Sequence, residues 1–229
     1  MNRDHGFRIV PGVVRPDEVA TLRADVASMR RGRAGLRHVL AQPNMRALAH
    51  DARLVGLASE LLGGAARPFK GTLFDKSAVT NWLVTWHQDL ALPVRAKVMA
   101  PGWGPWSTKS GQLYALAPAE VLERVVALRV HLDDSTATNG PLRVLPDTHV
   151  LGRLSNESIA GLVQSIPAVE CLVPSGGVVA MRPLVVHASS KSTSAIPRRV
   201  LHIEYTTTVA LGSGVELTVL AADDDPTAS

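Results

Sequence analysis

The sequence contains a single cysteine, Cys171, in 229 residues. A disulfide within the chain and a zinc site built on several cysteines are therefore excluded. Cys171 lies in a strand-like run, and we interpret it as a buried residue rather than as a nucleophile. No apolar run is long enough to cross a bilayer, and the first residues lack the apolar core and cleavage site of a secretory leader. We therefore expect a cytoplasmic protein without a membrane partner.

Aromatic residues are also scarce, at 4% of the chain, and the formal net charge is only +4. Residues 1–70 carry the excess, with 12 Lys and Arg against 6 Asp and Glu, whereas the rest of the chain has 12 against 14. The densest basic stretch, "MRRGRAGLRH" at residues 29–38, has no interleaved aromatic residues. We interpret it as a solvated helix end and loop, and expect no nucleic-acid partner. An anionic small-molecule substrate would also suit this charge.

The length of the chain predicts one sizeable domain over residues 1–220, followed by a disordered tail at 221–229. The first 65 residues are typical of helices. "RPDEVATLRADVASMR" places apolar residues at spacings of three and four, and "DARLVGLASELLGG" repeats the pattern, with Asp51 as a cap and Gly63-Gly64 as a stop. The residues predicted to share a face are Val19, Leu22, Val26 and Met29 in the first segment, and Leu54, Leu57 (or Ala58) and Leu61 in the second.

After Gly64, short segments rich in Val, Leu, Thr and Ile alternate with Gly, Pro, Asn and Asp. This texture predicts a mainly β fold with flanking helices, a sandwich or jelly roll rather than a parallel α/β sheet. The segment at 92–118, with Trp103 and Trp106, is predicted to be a loop that forms a lid or substrate wall. The predicted strands are residues 67–75, 81–88, 125–132, 142–146, 169–173, 177–187, 199–209 and 214–220.

The clearest chemical signal is "NWLVTWHQDL" at residues 81–90. Side chains alternate along a strand, so His87 and Asp89 are predicted to share one face. Two buried polar groups side by side are costly unless a hydrogen-bond network, a substrate or a metal ion satisfies them. A lone His-x-Asp pair is common by chance, and a buried hydrogen-bonded pair is the alternative to a metal site.

A third metal ligand is available in "RPLVVHASSKSTSAIPRRVLHIEY", where His187 ends an apolar run and Arg198 follows eleven residues later. Two histidines and one carboxylate form the facial triad of non-haem Fe(II) oxygenases, which leaves coordination positions open for cosubstrate and O₂. A guanidinium at Arg198 is suited to a carboxylate of such a cosubstrate. A surface salt bridge is the alternative for this arginine.

Four blocks in this order resemble the phytanoyl-CoA dioxygenase family of Fe(II)- and 2-oxoglutarate-dependent oxygenases. They are "WHQD" at 86–89, "LRVHLDDSTATNGPLRVLPDTHVLGRL" at 128–154, "PSGGVVAMRPLVVHASS" at 174–190, and the spacing from His187 to Arg198. The resemblance covers about residues 7–210. It implies a double-stranded β-helix, a cupin-like jelly roll with helices packed outside.

The resemblance also implies roles for individual residues. His87, Asp89 and His187 correspond to the catalytic iron ligands, and Arg198 to the arginine that binds 2-oxoglutarate. Further cosubstrate contacts are implied at Ser189, at Thr72 on the preceding strand and, from a loose alignment, at Arg37. The implied cofactors are Fe(II), 2-oxoglutarate and O₂.

The aspartate at position 89 favours hydroxylation over halogenation, because related halogenases carry a small residue there. Desaturation, epimerisation and ring closure use the same iron ligands and stay open, as does a non-catalytic metal- or ligand-binding module on this fold. We expect a small metabolite or natural-product intermediate as the substrate, with Trp103, Trp106 and Arg129 as candidate contacts. Anchoring of a loop is the alternative for the tryptophans, and a structural network is the alternative for Arg129. The sequence does not indicate an oligomeric state.

Overall fold

The computed structural model describes residues 4–29, 35–77 and 80–219. The predicted tail at 221–229 lies outside the described residues. The helices are α1 (Pro16–Ser28), α2 (Pro43–Ala49), α3 (Ala52–Leu62), α4 (Ala119–Leu122) and α5 (Asn156–Ser165), with 3₁₀ turns at Val39–Ala41 and Thr148–Leu151. None of the helices in the described part of the chain has the length and apolar character needed to span a membrane.

Fifteen strands are described, and every pairing between them is antiparallel. They are β1 (Phe7–Val10), β2 (Leu36–Arg37), β3 (Arg67–Lys76), β4 (Val84–His87), β5 (Ala91–Pro93), β6 (Trp106–Lys109), β7 (Gln112–Leu116), β8 (Val125–His131), β9 (Leu142–Val144), β10 (Val169–Cys171), β11 (Val178–Met181), β12 (His187–Ser189), β13 (Arg198–Thr206), β14 (Ala210–Gly212) and β15 (Val215–Glu216).

Two sheets form the jelly roll. The larger has the order β1-β11-β8-β13-β3-β2, and the smaller has the order β10-β9-β12-β4. Alternate residues of β8 show how they pack. Val126, Leu128 and Val130 lie in the cluster that the helices cover, whereas Ala127 lies in a second cluster with Leu142 and other residues of the smaller sheet. The predicted mainly β fold with flanking helices is confirmed.

Both predicted helices are present. In α1, Pro16 occupies the first turn, and Val19, Leu22 and Val26 are buried against the larger sheet. In α3, the Asp51 carboxylate accepts a hydrogen bond from the backbone N–H of Arg53, and Gly63 ends the helix at φ 68°. That left-handed conformation favours glycine because it has no Cβ. Within this helix the buried positions are Leu54 and Ala58 rather than Leu57.

Three predictions of local structure were wrong. The segment 92–118 is not a plain loop, because β5, β7 and β6 pair within it as a small sheet. The predicted strand 177–187 is two strands, β11 and β12, which belong to different sheets, so the chain turns between them near Pro183. In the first 65 residues, which looked helical, β1 adds to the edge of the larger sheet. Each strand depends on a distant partner that local patterns do not reveal.

Candidate metal centre

Strand pairing brings the three predicted metal ligands together. His87 ends β4 and His187 begins β12, and the two residues are direct Cα partners across this antiparallel pair. Their imidazole rings lie 4.2 Å apart between centroids. Asp89 follows β4, and its backbone N–H donates to the carbonyl of Pro183 at 2.9 Å, which anchors this segment to the turn before β12. The neighbouring strands therefore place all three side chains at one point.

The ligand atoms converge. One candidate ligand atom from each of the three residues lies within 4.8 Å of the other two. The Asp89 carboxylate oxygens lie 3.6 Å from Nε2 of His87 and 3.5 Å from Nε2 of His187. This is the spacing expected for groups that share a central cation rather than for groups in direct contact.

Backbone carbonyls fix the tautomers of both histidines. Nδ1 of His87 lies 2.8 Å from the carbonyl of Thr85, and Nδ1 of His187 lies 2.9 Å from the carbonyl of Val185. A carbonyl can only accept, so in the neutral ring Nδ1 carries the proton and Nε2 presents its lone pair to the centre. Hydrogen bonds from the second ring nitrogen to a backbone carbonyl orient metal-ligating histidines in this way. The donor set therefore fits a divalent metal ion.

Electrostatics favour the ligand forms of Asp89 and His187. Burial raises the pKa of Asp89, but His187 and His87 outweigh it and hold the pKa well below its usual value, so the carboxylate is ionised. Burial lowers the pKa of His187 to about 4, which leaves a neutral imidazole at neutral pH. The carboxylate of Asp89 outweighs burial at His87 and raises the pKa of that ring.

A small cavity, here called the inner cavity, opens beside the triad with a volume of about 100 Å³. Besides the three ligands, its polar lining consists of Lys76, Arg129, Ser189 and Arg198. The Ser189 hydroxyl donates to the carbonyl of Gly140 at 2.8 Å and accepts from Lys76 at 2.7 Å and from Arg198 at 3.2 Å. Arg198 and Ser189 thus lie together, where the sequence predicted the cosubstrate.

The inner cavity is strongly cationic. Lys76 is 1% exposed and Arg198 is 3% exposed, and Asp89 is the only acidic residue among the described residues of the lining. Burial and the two arginines lower the pKa of Lys76 to about 7, and burial together with Arg129 lowers the pKa of Arg198 to about 9. Three buried basic side chains with one carboxylate leave this cavity short of negative charge.

Two nitrogen atoms of these arginines have no partner. Nη1 of Arg198 and Nε of Arg129 are buried and make no hydrogen bond with a described residue. Buried donors are normally paired, so each unpaired one calls for an explanation. The cation–π contact of Arg129 with Phe74, 5.3 Å from the ring centroid, offsets only part of the cost. The donors fit a bound carboxylate.

A second, larger cavity, here called the outer cavity, shares His87 and Asp89 with the inner cavity and has a volume of about 340 Å³. The two other cosubstrate candidates, Thr72 and Arg37, line this cavity and not the inner one. They are direct partners across β2 and β3. Their placement separates them from Arg198 and Ser189, which line the inner cavity.

The three candidate substrate residues lie in different surroundings. Arg129 lines the inner cavity and donates from Nη1 to Nδ1 of His202 at 3.0 Å. Trp103 and Trp106 line neither cavity and pack against a hydrophobic cluster that includes Leu92 and Val121. That placement favours the anchoring alternative for the tryptophans.

Sequence reasoning missed a buried polar chain that links the two cavities. Because Arg129 can only donate, His202 accepts at Nδ1, carries its proton on Nε2 and donates to Glu204 at 3.2 Å. Glu204 also accepts from Lys70 at 2.5 Å. A signal was available, since Lys70 and Thr72 alternate with apolar residues on β3, and His202 and Glu204 alternate with apolar residues on β13.

The model of the phytanoyl-CoA dioxygenase family matches residues 2–200. L-proline trans-4-hydroxylase from Streptomyces griseoviridis is 32% identical in an alignment 178 residues long, and the alignment covers 66% of this chain. The matched region spans only 59% of the length of that curated relative.

Solved structures share the fold at low sequence identity. AviO1 from Streptomyces viridochromogenes Tue57 is 24% identical with a TM-score of 0.66, and the alignment covers 89% of this chain and 90% of AviO1. The epimerase SnoN in complex with Fe³⁺, alpha ketoglutarate and nogalamycin RO is 20% identical with a TM-score of 0.71, covering 99% and 88%. EctD from S. alaskensis with bound Fe is 21% identical with a TM-score of 0.64, covering 88% and 73%.

Proposed function

The chain belongs to the phytanoyl-CoA dioxygenase family, as its motifs predicted, and from this premise we propose that it is an Fe(II)- and 2-oxoglutarate-dependent oxygenase. It hydroxylates an unactivated C–H bond of a small molecule. One observation carries the proposal. A centre of two Nε2 lone pairs and one carboxylate adjoins a cavity whose buried cations include unpaired donors.

In this proposal, His87, Asp89 and His187 would hold Fe(II), and they form the ligand set of non-haem Fe(II) oxygenases. Arg198, Ser189 and Lys76 hold the distal carboxylate of 2-oxoglutarate in the inner cavity. The bound iron, with 2-oxoglutarate and O₂, supplies the oxidising power for C–H cleavage, which amino-acid side chains lack.

The residues of the chain position the reactants. The carbonyls of Thr85 and Val185 hold the two histidines in the ligand tautomer. The hydroxyl of Ser189 has its proton committed to Gly140, so it orients the two cations that donate to it. The buried chain from Arg129 to Lys70 keeps the wall between the cavities rigid, and a defined wall fixes the substrate relative to the metal.

Hydroxylation is the preferred outcome because Asp89 completes the triad and because the curated relative is named as a hydroxylase. Epimerisation is the second candidate, since SnoN, which shares the fold, is named as an epimerase. Desaturation and ring closure stay open on the same ligands. A non-catalytic binding module is disfavoured, because the inner cavity provides for a dicarboxylate as well as for a metal. A cytoplasmic location and the absence of nucleic-acid and membrane partners stay predictions.

Succinate formation tests the proposal. Iron-loaded protein is supplied with 2-oxoglutarate, O₂ and a panel of small metabolites that begins with free L-proline, and succinate and products are measured by mass spectrometry. We expect substrate-dependent succinate with a product heavier by one oxygen atom. An isomer of unchanged mass would indicate epimerisation, and loss of two hydrogens would indicate desaturation. Absence of succinate with every substrate, together with failure to bind Fe(II) anaerobically, would refute the proposal.

A further inference from the structure

The outer cavity carries two cations at its mouth. Arg37 reaches it from β2, and Lys109 reaches it from β6 in the small sheet. Both are exposed, and within the described part of the chain neither makes an ion pair with an acidic residue. These two side chains are therefore available to a ligand.

The other charges of the outer cavity are already engaged. Lys70 pairs with Glu204 at 2.5 Å, and Glu204 also accepts from His202. Asp89 belongs to the metal centre. Glu204 and Asp89 are the only acidic residues among the described residues of the lining. No carboxylate therefore remains there to neutralise Arg37 and Lys109.

The cations lie close enough to one another to interact. The ring of Tyr114 has Nζ of Lys109 at 5.4 Å and Nζ of Lys70 at 5.8 Å from its centroid. Burial, Arg37 and Lys70 together lower the pKa of Lys109, and the carboxylate of Asp89 opposes this shift. Lys109, Arg37 and Asp89 line the same cavity, so its two exposed cations and the candidate metal centre face one space.

The rest of the lining is largely aliphatic. Leu90, Leu92 and Leu116 contribute to it beside the segment that carries Asp89. A volume of about 340 Å³ is at the lower end of small-molecule sites, which span roughly 300–1,000 Å³. The cavity thus has an apolar body and a cationic mouth, and it suits a small ligand rather than a long acyl chain.

We propose that the substrate is a small anionic molecule whose carboxylate or phosphate group binds Arg37 and Lys109, while its aliphatic part lies along the leucine wall towards the metal. This inference rests on the proposed oxygenase function and assigns the substrate class of that site. Arg37 and Lys109 are specificity-determining residues in this account. Their charges also steer anionic molecules into the cavity, an effect that salt screens.

Binding of matched ligand pairs tests the proposal. The protein is loaded with Mn(II) in place of iron, which prevents turnover. It is then saturated with 2-oxoglutarate, which fills the inner cavity in the proposed function. Cyclohexanecarboxylate and phenyl phosphate are then titrated against cyclohexanecarboxamide and phenol by calorimetry. We expect at least one anion to bind about tenfold or more tightly than its uncharged counterpart, the scale of a charge-assisted hydrogen bond. Whether carboxylates or phosphates bind identifies the source of the anion.

Substitutions locate the binding. Arg37→Met and Lys109→Met keep the aliphatic stems and remove the charges. Each is expected to raise the Kd of the anion only about threefold to tenfold, because both side chains are exposed. Arg67→Met and Lys97→Met remove one exposed charge each at positions that line neither cavity, so they serve as matched controls. Added salt should weaken the binding of the anion to the unsubstituted protein, and it should have less effect on the variant that carries both Arg37→Met and Lys109→Met.

The outcomes separate this inference from the oxygenase function. Discrimination between anion and uncharged counterpart that Arg37→Met and Lys109→Met reduce, and the controls preserve, supports it. Equal binding of the two partners, equal effects of test and control variants, or no binding by any anion at millimolar concentration overturns it. In those cases, intact binding of 2-oxoglutarate leaves the oxygenase function standing, whereas failure of 2-oxoglutarate to bind the metal-loaded protein overturns both.

Discussion

Replacing Arg198 with methionine is expected to weaken the binding of 2-oxoglutarate strongly while the metal stays bound. Nη1 of Arg198 is buried without a partner, so a carboxylate there gains at least one charge-assisted hydrogen bond in surroundings that exclude water. Such bonds contribute about 1.5–3 kcal/mol, which corresponds to a roughly 10-fold to 100-fold rise in Kd. Binding is not abolished, because Lys76 and Arg129 remain in the inner cavity.

Calorimetric titration of 2-oxoglutarate into the Mn(II)-loaded protein measures this change. Arg199→Met is the matched control, because the Arg199 side chain points away from the cavity and pairs with Asp133 at 2.7 Å. That variant should be less stable yet bind 2-oxoglutarate normally. Arg198→Lys should lie between the wild type and Arg198→Met. A change of less than about threefold in Arg198→Met, well below the range for one charged hydrogen bond, would refute our assignment of the cosubstrate arginine.

Three further perturbations probe the cosubstrate site and the fold. The affinity for 2-oxoglutarate should fall as the pH rises above about 7, because the pKa of Lys76 lies there and only the protonated amine attracts a carboxylate. In calorimetric titrations, Lys76→Met should bind 2-oxoglutarate more weakly than the wild type at low pH and should lose this pH dependence. Arg53→Met should lower the Tm at neutral pH and flatten its acid dependence, because hydrogen bonding by Arg53 lowers the pKa of Glu18 from 4.5 to about 2. In the wild type, the stabilisation from the Arg53–Glu18 pair is complete above pH 4.5 and is lost as the pH falls towards 2. Curves of Tm against pH that run parallel for the two proteins would contradict this prediction. Gly71→Ala should reduce the free energy of unfolding in urea by about 1–3 kcal/mol, since the new Cβ would lie 2.6 Å from Cγ of Leu40. Unchanged stability would contradict this prediction and would show that the turn that carries Leu40 moves to make room for the methyl group.

The convergence of the three proposed metal ligands could be predicted in part, because short local patterns in the sequence indicate it. Alternation along a strand predicted that His87 and Asp89 would share one face, and the spacing from His187 to Arg198 indicated the proposed third ligand and the proposed cosubstrate arginine. Local patterns could not give the pairing of β4 with β12. That register places His187 directly opposite His87 within the smaller sheet, and it joins residues that lie far apart in the sequence.

The residues of the outer cavity were harder to predict for the same physical reason. Arg37 lies on a two-residue strand, and Lys109 lies on a strand inside a segment rich in Pro and Gly. Neither segment has the apolar alternation that is typical of a buried strand, so local sequence patterns do not predict that either residue lies on a strand. They meet at one cavity only because β2 pairs with β3 and β6 pairs with β7.

Anaerobic addition of 2-oxoglutarate to the Fe(II)-loaded protein, followed by visible absorption, examines the iron site itself. A keto acid that chelates Fe(II) gives a charge-transfer band. We predict this band for the wild type and for Arg199→Met, and its loss in His187→Ala, which removes one ligand and leaves β12 in place. A folded wild-type protein without the band, or an unchanged band in His187→Ala, would contradict the assignment of His87, Asp89 and His187 as the iron ligands.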